Sequence, residues 1–124
     1  MTGDVVVVFT GESLQDLRQE RSSGHWKASR SRLCRRNWIV ATRNRHAVWS
    51  AQDVEHGTAF MVGHISGIKD SSKRPGRYII EFDRYAEINL KRAWPGNQNP
   101  VTYLALENLH LNLRSLEWKT FPAG

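Results

Sequence analysis

Residues 4–9 read DVVVVF, four consecutive valines and a phenylalanine behind one aspartate. A short, unbroken β-branched run of this kind predicts a strand buried on both faces. Thr10 and Gly11 break it. The following ESLQDLRQER predicts a helix, with Ser13 and Asp16 spaced as a capping box and Leu14 and Leu17 marking one buried stripe. Ser22, Ser23 and Gly24 are expected to end it. A second short helix is expected over about 29–35, with Leu33 and Cys34 turned inward. NWIVATR at 37–43 alternates enough for a half-buried strand, and 44–57 is a polar loop holding Trp49.

The second half of the chain alternates strand and turn. TAFMVGHISGI at 58–68 predicts a long strand in which Gly63 and Gly67 mark bends or bulges. KDSSKRPGR is a turn, and YIIEFDRYAEI at 78–88 returns antiparallel with Tyr78, Ile80 and Phe82 on one face. AWPGNQNP is irregular, VTYLAL at 101–106 is a short strand, and 107–116 a short helix. No repeat or linker is seen, so residues 1–124 are expected to form a single domain. Many strands, bending glycines and two or three helices predict an α+β fold, a small, strongly curved, mostly antiparallel β-barrel flanked by those helices.

Charge is distributed unevenly. The chain carries +6 overall. Between Arg18 and Arg45 there are nine basic residues and one acid, Glu20, so this segment is +8 and the remainder −2. A patch of one sign attracts polyanions. Within it, GHWKASRSRLCRRNWIV places Lys27, Arg30, Arg32, Arg35 and Arg36 between Trp26 and Trp38. Arginines can hold phosphates while an aromatic ring stacks on a flat base. Five tryptophans in 124 residues is a high count. Trp38 is expected in the core, and Trp118, beside Phe121, is expected to pack a helix down. Trp26, Trp49 and Trp94 sit among polar neighbours and are candidates to line a ligand pocket.

Several chemistries have no pattern here. The five histidines are scattered and form no i, i+4 pair, so no metal site is expected; no phosphate-loop spacing is present. His64 is expected as a core or barrel-interior residue. The single Cys34 points to a reducing compartment, and the 5–9 run is too short for a signal peptide or a membrane span. A cytoplasmic, monomeric protein without cofactor or membrane partner is the expectation.

VFTGESLQDLRQERSSGHWKAS, RLCRRNWIVATRN, GTAFMVGHISGI and INLKRAWPGNQNPV together resemble the YTH readers of modified RNA, and more broadly the PUA-like superfamily with its EVE and ASCH domains. The resemblance covers residues 8–108. It implies a PUA-like barrel and a non-catalytic module that takes a modified, typically methylated, base of DNA or RNA into an aromatic pocket by base flipping. By position, Trp26 matches the first wall of the cage. Lys27 and Ala28 would offer backbone groups, Ser29 its hydroxyl, and Asn44 would close the pocket-lining strand. The KDSSKRPGR loop has no tryptophan, so a second wall would come from Trp49 or Trp94. Arg30, Arg32, Arg35 and Arg36, with Asn97, Gln98 and Asn99, would meet the phosphates and the bound strand. Three other readings stay open: a PUA-type RNA binder without base selectivity, an ASCH-like amidohydrolase acting on a modified nucleoside through Thr10, Lys27 and Glu81 or Glu87, and a domain that meets an acidic protein.

Overall fold

The computed structural model describes residues 4–46, 49–96 and 98–121. The chain is mixed α/β. Seven strands, β1 (Val5–Thr10), β2 (Ser22–Trp26), β3 (Trp38–Arg43), β4 (Ala59–Asp70), β5 (Tyr78–Leu90), β6 (Val101–Leu104) and β7 (Lys119–Thr120), form one strongly curled sheet. Its order is β2-β5-β4-β3-β1-β6, with β7 attached to β5. Among the described residues only β1 and β3 pair in parallel, and the remaining ladders are antiparallel. Among the described residues no ladder joins β2 to β6, so the barrel-like sheet is open at these two ends.

The valine run behaves as its composition requires. Val6 and Val8 enter one apolar cluster with Leu17, Trp26, Leu33, Phe60 and Phe82. Val5 and Val7 enter a second, with Val40, Val62, Ala86 and Leu109. The strand separates two cores, and all four valines are fully buried. β3 also has both faces covered, because Ile39 and Ala41 enter the first cluster and Val40 the second; the expectation of a half-buried strand is corrected.

Helix α1 (Leu14–Glu20) starts at the expected capping box: Ser13 Oγ accepts from the Asp16 N–H, and the Asp16 carboxylate accepts from the Ser13 N–H. It stops at Arg21, whose φ of 54° is left-handed. Residues 22–24 do not merely end the helix. They begin β2, an element the Ser-rich composition concealed, and its backbone groups are satisfied by β5. Helix α2 (Arg30–Leu33) is one turn long and buries Leu33 alone. Cys34, its C-cap, is exposed rather than turned inward.

Curl in the sheet comes from β4, whose register with β5 shifts between His64 and Ile65 and again between Ile65 and Gly67. Gly63 has a packing role: a Cβ there would lie 3.0 Å from the Phe82 ring and 3.2 Å from Ile39. His64 is not interior. Its Nδ1 lies 2.9 Å from Asp83 Oδ1, and its ring meets Trp38 edge-on. Two 3₁₀ turns, Leu106–Leu109 and Leu113–Ser115, replace the expected 107–116 helix. Trp118 packs on Trp38 and donates to the Leu113 carbonyl, pinning the second turn. Among the described residues, no helix is long and apolar enough to cross a membrane.

Candidate functional site

The +8 segment does not fold into one patch. Arg18 and Arg21 lie over the rings of Tyr85 and Phe121. Arg43 is fully buried: its Nε and Nη2 grip Asp53 at 2.8 and 3.1 Å, and its Nη1 donates to the Thr10 and Glu12 carbonyls. Arg36 is buried too, stacked with Arg32 against Tyr103. What remains exposed around α2 is Lys27, Arg30, Arg32 and Arg35.

Folding adds a second basic segment to this one. Arg30 Nη1 lies 2.9 Å from Asp70 Oδ1 at the end of β4. His25 Nδ1 hydrogen-bonds Ser71 Oγ, and Arg77 Nη1 donates to the His25 carbonyl at 3.3 Å. The β4–β5 turn, with Lys69, Lys73, Arg74 and Arg77, therefore lies against the β2–α2 junction. Its charge is visible in the sequence. Its position is not, because the contacts span 40 to 52 residues of chain.

Beside this junction is a cleft of about 370 Å³ lined by Glu12, Glu20, Gly24, His25, Lys73 and Ile79, together with Ser22 and Ser72. Glu12 carries its most constrained side chain. Glu12 Oε1 accepts from Thr10 Oγ1 at 2.9 Å and from Ser23 Oγ at 2.6 Å. Ser23 Oγ in turn accepts from Trp26 Nε1 at 2.9 Å. Burial pushes the Glu12 carboxyl above the ordinary glutamate value, with Asp16 adding to the rise; the hydrogen bonds from Ser23, Thr10 and the Gly24 N–H pull the other way without cancelling it. The tight turn after β1 places Glu12 here: its N–H donates back to Thr10 Oγ1. The sequence offered no motif for Glu12, Ser23 or His25.

The three candidate cage tryptophans have different surroundings. Trp26 is 9% exposed, a member of the first core cluster and the end of the relay to Glu12. Trp49 is 71% exposed, and its ring edge rests on Gly11, where a Cβ would lie 2.8 Å from Cζ3. Trp94 stacks on Phe9 at 4.6 Å and 6°. Ala28 packs on the first cluster, and Ser29 caps α2 by accepting from the Arg32 N–H. Asn44 Oδ1 accepts from the His46 N–H, and Asn99 Oδ1 from the Val101 N–H. Gln98 is exposed, and Asn97 lies outside the described residues. Thr10, Glu81 and Glu87 have separate partners in Glu12, Lys69 and Lys119. Among the described residues, no three His, Cys, Asp or Glu side chains group as metal ligands.

No family model matches this chain, and no curated protein matches it.

Proposed function

We propose that this chain is a nucleic-acid-binding module of PUA-like type that holds a DNA or RNA strand on the joined α2 and β4–β5 cations and takes one extruded base into the Glu12 cleft. The observation that carries the reading is the meeting of two basic segments, 27–35 and 69–77, beside that cleft. Lys27, Arg32, Arg35, Lys73 and Arg74 are exposed on these two segments and would neutralise phosphates. Trp49 offers an open indole face for a neighbouring base, a stack worth about 1–3 kcal/mol. Trp26 works from behind, by holding Ser23 and through it Glu12. Selectivity for a methylated base follows from the resemblance to YTH and EVE domains.

The test is binding to labelled single- and double-stranded DNA and RNA, plain and methylated, by fluorescence anisotropy. The charge reversal Lys73→Glu with Arg74→Glu is expected to weaken every strand about tenfold or more, which is about 1.4 kcal/mol. Trp49→Ala weakens single strands most. An unmodified preference and an unchanged affinity after charge reversal would sink the reading.

A further inference from the structure

We infer that the cleft recognises the exocyclic amino group of an adenine or a cytosine, with the Glu12 carboxylate as its acceptor. This rests on the nucleic-acid reading above and specifies its ligand.

The argument is a count of donors and acceptors. An ionised carboxylate has about four acceptor positions. Among the described residues, the Thr10 and Ser23 hydroxyls fill two of them, both on Oε1, and the Gly24 N–H lies beside the carboxylate. At least one position is left on a carboxylate that lines the cleft. Because its burial disfavours the charge, a further donor is worth more here than in water. The ligand must bring one N–H. Guanine gains least, since its paired N–H groups want both carboxylate oxygens and Oε1 already takes two hydroxyls. Thymine and uracil flank their single ring N–H with two carbonyl oxygens, which a carboxylate repels. Adenine and cytosine place an amino group beside an accepting ring nitrogen. Lys73, which brings donors and no acceptor, stands in the same cleft for that nitrogen. An amino group bearing one methyl keeps an N–H, whereas one bearing two has none.

The experiment uses the full chain and short single strands that differ at one central base: adenine, cytosine, guanine, thymine, or adenine dimethylated on its amino nitrogen. Wild type is expected to hold the adenine and cytosine strands about tenfold tighter than the guanine, thymine and dimethyladenine strands. Glu12→Gln keeps the shape but turns one acceptor into a donor, so the preference should shift toward thymine. Lys73→Met removes one phosphate contact from every strand, so beyond that uniform loss it should weaken the adenine and cytosine strands further than the thymine strand, and it serves if Glu12→Gln unfolds. Equal affinity for all five strands, with binding still lost on the Lys73→Glu, Arg74→Glu reversal, overturns the amino-group inference and leaves the nucleic-acid reading standing. If no strand binds, both fall.

Discussion

Glu12 holds its proton more tightly in the folded chain than in the unfolded one, because folding strips water from its carboxylate. The folded state therefore binds the extra proton between the ordinary glutamate value and the raised one. The stability linked to this group is fully present below the ordinary value and is lost as pH rises through the folded value. Glu12→Gln should flatten that slope: urea midpoints of wild type should fall relative to the variant as the medium goes from acid to neutral. Parallel profiles would contradict the burial. Glu12 was unreadable in the sequence for a physical reason. Its environment is made by Ser23 and Trp26, which arrive on β2, and nothing in SSGHW announces a strand. The neighbouring Ser13–Asp16 box was readable because both its partners are local.

At the scale of elements, one side chain joins three parts. Arg43 ends β3, reaches the carbonyls of Thr10 and Glu12 after β1, clasps Asp53 in the 44–57 loop, and lies 4.1 Å over the Phe60 ring. Its side chain is fully buried while Asp53 remains partly open to solvent. Removing the arginine takes its donors from the Glu12 carbonyl and the Asp53 carboxylate and leaves the Thr10 carbonyl with the Asn44 N–H alone. Arg43→Ala is expected to cost about 1.5–3 kcal/mol in urea unfolding, because the lost hydrogen bonds are charge-assisted while the carboxylate left behind can still reach water. Arg43→Lys should recover part of this, since an ammonium cannot reproduce the fork. A cost within about 0.5 kcal/mol, typical of a surface change, would refute the role. By sequence this residue belonged to the basic run. Charge counts cannot separate an arginine that anchors a turn from one that faces water. The long strands, by contrast, were legible because periodicity is local, and only their ends and their partners had to be learned from the fold.

For the whole molecule, binding should report how many cations act together. If about four phosphates are engaged, log K should fall with log salt with a slope of about −2.8 on a single strand and −3.6 on a duplex. A slope near zero would mean that the basic face contributes nothing. The curled, mainly antiparallel sheet was foreseeable from the spacing of strands and glycines. Its open ends were not, since closure depends on pairings between β2 and β6 that no local pattern specifies. The most apolar strand also has the most delayed partners. β1 sits between β3 and β6, with Val5 opposite both Trp38 and Leu104. On a ribosome the valine run must wait for the whole stretch between Thr10 and Val101 to be made before its second edge is covered. Over that interval it is a bare, sticky template, and nascent chains stalled before Val101 should be the ones that chaperones hold.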